Sequence, residues 1–148
     1  MMTPTVLRLD DFLPYRLSFT SNLVSEQIAQ VYASLFALTI PEWRLVAVIA
    51  EAGETAQRDI CERTRMDKVM VSRAALALTG RNLVERLPNP ADNRSHLLRL
   101  TATGQDLYAS IAPKALAMEQ AIFARLTEAE KQLLKSLLLR IDGSLLTG

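Results

Sequence analysis

Two short helical segments in the middle of the chain are separated by only two residues, Arg65 and Met66. The first segment, AQRDICERT, follows Thr55, and the second, KVMVSRAALALTG, follows Asp67. Threonine and aspartate are good helix caps, so each segment has its own start signal, and Gly80 ends the second. Two short helices joined by so tight a turn predict a helix-turn-helix.

Two further helices are predicted before this pair. Apolar side chains spaced by four, three and four residues are Val24, Ile28, Val31 and Leu35. We therefore expect a long first helix over residues 12–37, with Asp11 as its cap. Thr39 and Glu42 have the spacing of a capping box, which opens a second helix that ends at Gly53.

The periodicity changes after Gly80. Residues 83–87 (LVERL) and 96–100 (HLLRL) alternate apolar and polar side chains, whereas the PNPADNRS between them is rich in turn formers. This pattern predicts a β-hairpin with a long loop. The order of helices followed by a hairpin is that of a winged helix.

Helical periodicity returns after Thr101. A helix over residues 103–125 contains Pro113, which removes one backbone hydrogen bond and predicts a bend. This helix would be about 35 Å long, more than a small winged core can cover. Residues 127–130 (TEAE) form a second capping box and open a last, leucine-rich helix.

The positive charges lie in the middle of the chain. Residues 58–99 contain nine Lys and Arg against five acids, whereas the remaining residues contain eight basic and eleven acidic side chains. A basic middle between acidic ends predicts contact with a polyanion.

The compartment is predicted from what the sequence lacks. Cys61 is the one cysteine, so no disulfide forms within the chain and a reducing compartment is the simpler expectation. No signal peptide or apolar run long enough for a membrane span is visible. We expect a soluble, cytoplasmic protein.

Four short motifs occur in order along the basic middle. Asp67 begins DKVMVSR, Leu83 begins LVER, Asp92 begins DNR, and LRLTATG ends at Gly104. In these motifs and their spacing the chain resembles the MarR family of bacterial transcriptional regulators, over residues 38–104 and in the long helices on both sides. Each motif alone is weak, but their order together is specific.

The resemblance implies a mainly α fold, a winged helix-turn-helix of three helices and a β-hairpin wing. Residues 1–38 would form an N-terminal dimerisation helix, 39–102 the DNA-binding region and 103–148 the C-terminal dimerisation helices of one compact domain. The implied function is that of a homodimer that binds a pseudo-palindromic double-stranded operator. It would be a repressor that a small organic ligand releases, with no cofactor, no metal and no membrane partner.

The expected DNA contacts lie on three segments. A recognition helix inserts its N-terminal end in the major groove, where Arg73 can bond a guanine with two hydrogen bonds. Thr55 and Gln57 stand at a helix start, which favours a phosphate, although Thr55 serves equally as a plain cap. Arg94 in the wing is expected in the minor groove. The predicted set is Thr55, Gln57, Lys68, Val69, Met70, Ser72, Arg73, Asp92, Asn93 and Arg94.

The wing departs from the family at one position. Asn93 stands where many relatives carry arginine, so the wing should hold DNA less tightly. Asp92 can pair with Arg94 or hold it in line. For Lys68 and Arg73 the alternative is a solvated helix face without DNA contact.

The resemblance also implies a pocket for a small aromatic or phenolic ligand. Its candidates are an aromatic and apolar set with one cation suited to an organic anion, Tyr15, Arg16, Phe19, Trp43 and Met118. The alternative is that all of these except Arg16 are core residues.

Other functions leave weaker signs in the sequence. A winged helix can serve as a protein-interaction module without DNA binding. Cys61 allows a thiol-based redox-sensing regulator, but it lies on the apolar side of its helix and is expected in the core. His96 is the one histidine, and the sequence has no catalytic constellation, so we expect no enzyme activity.

Overall fold

The structure is a computed structural model and describes residues 3–147. Its described residues form two compact units that divide between Ala112 and Pro113. The elements, in chain order, are α1 (Leu13–Phe36), α2 (Ile40–Ala52), β1 (Glu54–Ala56), α3 (Gln57–Thr64), α4 (Lys68–Gly80), β2 (Val84–Pro88), β3 (His96–Leu100), α5 (Ala102–Ile122) and α6 (Glu128–Leu146). The unit boundary therefore lies inside α5.

Helix α1 begins one residue later than predicted, at Leu13. Pro14 lies in its first turn, where a missing N–H removes no intrahelical hydrogen bond. Asp11 belongs to a preceding 3₁₀ turn, and Phe12 occupies the cap position without a side-chain hydrogen bond. The prediction of Asp11 as the cap is therefore wrong.

Helix α2 begins with the predicted capping box. The Glu42 backbone N–H donates to the Thr39 hydroxyl oxygen at 3.2 Å, and the Thr39 N–H donates to the Glu42 carboxylate at 3.1 Å. Gly53 follows the helix with a φ of +84°, a conformation that a residue with a Cβ adopts only with strain. Both ends of α2 thus follow from local sequence.

The core of the first unit lies between α2, α4 and the sheet. Helix α2 contributes the buried Leu45, Val46, Val48 and Ile49, and α4 contributes Val71, Ala74, Ala75 and Leu78. Ile60 of α3 and Leu98 of β3 are fully buried beside them. Burial of these side chains fixes α3 and α4 as a helix-turn-helix, which confirms the predicted winged-helix core.

The sheet has three strands, although the sequence predicts only a hairpin. The antiparallel order is β1-β3-β2. Thr55 pairs with Leu98 across β1 and β3 and is 7% exposed, and α3 begins only at Gln57, with Ala56 at its cap position. Thr55 is therefore not the predicted cap of α3; its side chain is largely buried in the sheet, and its contact with a phosphate stays a prediction.

A tight turn connects β3 to α5. The Thr101 hydroxyl donates to the Asn82 carbonyl oxygen at 2.7 Å and accepts from the Gly104 N–H at 3.0 Å. A Cβ on Gly104 would overlap the Leu83 carbonyl oxygen. This close approach explains the TATG motif: threonine makes two hydrogen bonds, and glycine leaves room for the backbone of Leu83, the residue before β2.

The second unit contains the last part of α5 and the whole of α6. The predicted capping box is present, since the Thr127 N–H donates to the Glu130 carboxylate at 2.8 Å and the Glu130 N–H donates to the Thr127 hydroxyl at 3.1 Å. The hydrogen bond from the Thr127 backbone lowers the pKa of Glu130. No residue of α6 is buried.

Both ends of the chain expose apolar side chains. Leu13 at the start of α1 is 77% exposed, and Leu145 near the end of α6 is 74% exposed. Leu134, Leu137, Leu138 and Ile141 have the three- and four-residue spacing of one helical face and are also exposed. This chain alone does not cover these faces.

Candidate nucleic-acid interface

Helix α4 begins with a side-chain cap. The Asp67 carboxylate accepts the Met70 backbone N–H at 2.8 Å, as predicted. Arg65, between α3 and α4, adopts a left-handed φ of +61°, which turns the chain sharply between the two helices. The Asp67 cap and the tight turn at Arg65 therefore fix the first turn of α4, which does not fray.

The two faces of α4 differ in burial. Val71, Ala74, Ala75 and Leu78 face the core, whereas Lys68, Val69, Met70 and Arg73 are exposed. Burial of the first set fixes the rotation of the helix about its axis. The predicted recognition residues, apart from the half-buried Ser72, thus share one solvent-facing surface at the N-terminal end of α4.

Ser72 and Gln57 contact each other. The Ser72 hydroxyl donates to the Gln57 side-chain oxygen at 3.2 Å, and both residues are half-buried. Both were predicted as direct DNA contacts, and the sequence gives no sign that they meet. Their hydrogen bond links the first residue of α3 to the recognition helix.

The wing loop is ordered by its own side chains. The Asn89 side chain accepts the Ala91 N–H at 3.1 Å and donates to the Ser95 hydroxyl at 2.9 Å. The Asp92 carboxylate accepts the backbone N–H of Arg94 at 2.9 Å. Asp92 therefore contacts the Arg94 backbone, and among the described residues no ion pair joins it to the Arg94 guanidinium.

A cleft of about 720 Å³ lies between the start of α3, the start of α4 and the wing. Its basic lining residues are Arg58, Lys68, Arg86 and Arg94, and its acidic ones are Asp59 and Asp92. Gln57 and His96 also line it. Arg58 and Arg86, which are not in the predicted set, belong to this surface; Arg58 stands next to Gln57 at the predicted phosphate-binding helix start, whereas the local charge excess was the only sequence signal for Arg86.

Three of the nine basic residues in the segment 58–99 have partners within the protein. Arg63 pairs with Glu51, Arg81 donates to backbone carbonyls, and Arg99 pairs with Glu54 and Glu85. Within residues 3–147 the side chains of the other six make no hydrogen bond or ion pair; they are Arg58, Arg65, Lys68, Arg73, Arg86 and Arg94. Apart from Arg65, the unpaired cations lie along the cleft or on the exposed face of α4.

The predicted ligand residues fall into separate groups. Tyr15 and Phe19 have ring centroids 5.9 Å apart, with the Arg16 guanidinium 5.1 Å from the Phe19 ring. Trp43 packs between Tyr32 and Tyr108, at centroid distances of 5.3 and 6.1 Å. Met118 lies half-buried in the second unit.

Within one chain the two aromatic groups lie far apart. Tyr15 and Tyr32 belong to the same helix, and at 1.5 Å per residue their separation is about 25 Å. Tyr15 and Trp43 therefore do not line one pocket in a single copy of the chain. Tyr32 and Tyr108, which complete the second group, lack any sequence signal beyond the helical period of their apolar neighbours.

The remaining candidate sites carry little chemistry. Cys61 is half-buried, so it is less buried than the predicted core position would make it. The described residues contain no group of three His, Cys, Asp or Glu that could hold a metal ion. Among the helices of residues 3–147 none alone is long and apolar enough to cross a membrane; the bent pair Leu13–Phe36 and Ile40–Ala52 passes by length and composition only.

Comparison with known proteins agrees with this architecture. A family model described as MarR family matches residues 38–95. The uncharacterized HTH-type transcriptional regulator YdgJ of Bacillus subtilis is 27% identical over 101 residues, which cover 68% of this chain and 62% of that relative. The transcriptional regulator HosA of Escherichia coli is 26% identical over 78% of this chain and 86% of its own length.

Solved structures share the fold along nearly the whole chain. A MarR/EmrR family transcriptional regulator from Acinetobacter sp. is 24% identical with a TM-score of 0.87, covering 96% of this chain and all of that one. BpsR of Bordetella bronchiseptica, whose DNA binding 6-hydroxynicotinic acid regulates, is 22% identical with a TM-score of 0.85, over 93% of this chain and 98% of that one. A mutant MarR from E. coli complexed with operator DNA is 23% identical with a TM-score of 0.75, covering 92% of this chain and 99% of that one.

Proposed function

We propose that this chain, whose residues 38–95 match a family model described as MarR family, is a transcriptional regulator of that family; it binds specific double-stranded DNA as a homodimer and represses transcription until a small organic ligand releases it. The observation that carries the proposal is the group of unpaired cations. Of the six basic side chains in the segment 58–99 that have no partner among the described residues, five line the cleft or the exposed face of α4. Unpaired cations grouped on one surface favour a polyanion.

The geometry favours duplex DNA as that polyanion. Helix α4 presents Lys68 and Arg73 at its N-terminal end, which is the end that enters a major groove. Arg94 projects from the wing loop, at a position suited to the adjacent minor groove. Arg58 and Arg86 in the cleft between them would neutralise the phosphates of the intervening backbone.

The homodimer rests on the apolar faces at the two chain ends. Helix α6 buries no residue, and α1 buries only Tyr32, although both carry many leucines. Apolar surface of this extent is stabilised when a partner covers it, and a second copy offers the same faces. In such a dimer the two recognition helices would lie about 34 Å apart, one turn of B-DNA.

The ligand would be an organic anion of aromatic character. Arg16 beside Tyr15 and Phe19 supplies one cation and two rings, but this group is open on one side in a single chain. A second copy would close it. The regulation of BpsR by 6-hydroxynicotinic acid supports a ligand of this class. We also propose the cytoplasm as the place of action, where the DNA is.

Salt-dependent binding to a duplex with the promoter of the protein's own gene tests the DNA proposal. The logarithm of the affinity should fall linearly with the logarithm of the salt concentration. Combined replacement by alanine of Arg58 and Arg86, the two side chains assigned to phosphates, should make that slope shallower by about 2. The control is Arg44→Ala, at an exposed cation of α2 outside the cleft. Absence of salt-dependent binding would favour the protein-interaction module instead.

A further inference from the structure

The exposed face of α4 carries apolar side chains beside its cations. Val69 is 59% exposed and Met70 is 40% exposed, both in the first turn of the helix. The solvent-exposed positions of a helix more often carry polar residues, because exposed apolar side chains make no favourable interaction with water. Neither side chain is buried by the described part of the chain.

These two side chains flank Arg73. Residues three and four positions apart on a helix have Cβ atoms about 5–6 Å apart, so Val69, Met70 and Arg73 form one continuous surface. The adjacent Val71 and Ala74 are buried, which prevents the helix from rotating this surface away from solvent. The surface thus presents two apolar groups and one unpaired cation at fixed positions.

We propose that Val69 and Met70 read thymine through its C5 methyl group, next to a guanine that Arg73 binds. This inference rests on the proposed function. In the major groove the thymine methyl is the one apolar group on a base edge, and an apolar side chain recognises it by contact. Val69 has no hydrogen-bond donor or acceptor in its side chain, so contact with a methyl group is the only base-specific interaction available to it.

The surrounding charges favour DNA over an apolar protein partner. Lys68 and Arg73 lie on the same exposed surface, and Arg58 and Arg94 line the cleft beside it. A protein that covered Val69 would bury or approach these unpaired cations and would need matching acids. The phosphates on both sides of a major groove supply those charges without further requirement.

The test begins with selection of duplexes from a random-sequence pool by the intact protein. The selected sites should contain thymine next to guanine in each half-site. Replacement of that thymine by deoxyuridine removes the methyl group and no hydrogen-bonding atom. This replacement should lower the affinity about fourfold for each contacted methyl, because that is the affinity change expected when one buried carbon is removed.

Variants assign the contact to the two residues. In the Val69→Ala variant, deoxyuridine should no longer lower the affinity at the thymine that Val69 contacts. In Met70→Ala the same should hold at the thymine that Met70 contacts. Leu76→Ala, at an exposed apolar position further along α4, should keep the full loss. Thermal unfolding of each variant checks that it folds.

The outcomes separate this inference from the proposed function. Salt-dependent binding of the selected duplexes without any effect of deoxyuridine would overturn the inference and leave the proposed function standing. An effect of deoxyuridine that persists unchanged in both variants would overturn it as well. Failure to bind any duplex at low salt would overturn the proposed function, and the inference with it.

Discussion

The guanidinium of Arg81 donates a hydrogen bond to the carbonyl oxygen of Ala37 at 2.8 Å, across 44 residues of sequence. A second bond reaches the Phe36 carbonyl at 3.2 Å. Arg81 follows the last residue of α4, and Ala37 follows the last residue of α1. This side chain therefore joins the end of the recognition helix to the end of the long N-terminal helix.

Replacement of Arg81 by alanine should lower the free energy of unfolding by about 1 kcal/mol. The variant loses two charge-assisted hydrogen bonds and a cation at the negative end of the α1 dipole, but at an exposed site. Urea unfolding measures the change. Arg44→Ala, which removes an unpaired exposed arginine, should change the same quantity by less than about 0.5 kcal/mol. Equal effects of the two variants would show that the Arg81 bonds contribute nothing.

Arg73→Ala and Arg94→Ala should each weaken duplex binding while the dimer persists. Loss of a guanine contact by Arg73 should cost about 1–3 kcal/mol and relax specificity at one base pair, whereas loss of Arg94 should reduce affinity with little change in sequence preference outside A·T-rich flanks. Fluorescence anisotropy with operator and mutated-operator duplexes distinguishes the two patterns. If both variants bind the promoter fragment at wild-type concentrations, these site assignments are wrong.

Gly104→Ala should destabilise the protein by at least about 2 kcal/mol. The new Cβ would overlap a backbone oxygen, that of Leu83, which also accepts the Thr101 N–H at 3.1 Å and so has no freedom to move. Thermal and urea unfolding measure the loss. Gly80→Ala is the matched control, because nothing lies within 4 Å of a Cβ at that position. A Gly104→Ala variant as stable as the control would refute this account of the TATG motif.

Leu137→Glu should dissociate the proposed homodimer. The wild-type chain should show a mass near twice 16.4 kDa by light scattering at micromolar concentration. A carboxylate at Leu137 would be placed in the apolar face of α6, where burial of an unpaired charge is unfavourable. Ser136→Glu adds the same charge on the opposite face and should leave the mass unchanged. A monomeric wild-type protein would contradict the role given to the terminal helices.

The local features of this fold were predictable from sequence because the interactions that create them are local. Thr39 with Glu42, and Thr127 with Glu130, form capping boxes within four residues, and Asp67 caps α4 three residues away. Spacing alone is enough to find such pairs.

Features that depend on distant residues were missed. The strand that contains Thr55 is three residues long, too short for a visible alternation, and forms only because β3 lies beside it. Helix α4 ends at Gly80 as predicted, but the left-handed conformation that follows it belongs to Asn82, with a φ of +59°. The hydrogen bond between Ser72 and Gln57 and the contacts of Trp43 likewise join separate elements, so periodicity could not indicate them.

The wing ordered by Asn89 and Asp92 also bears on the kinetics of DNA binding. Fixing the backbone of a flexible residue costs about 1–2 kcal/mol of free energy through lost conformational entropy. A flexible wing would have to meet this cost during association with DNA. Here the turn around Arg94 is already formed in the free protein. Capture of DNA would then require no folding step in the loop, so the association rate would be set by electrostatic attraction and orientation. On this account Asp92 contributes speed, although its own charge repels phosphate.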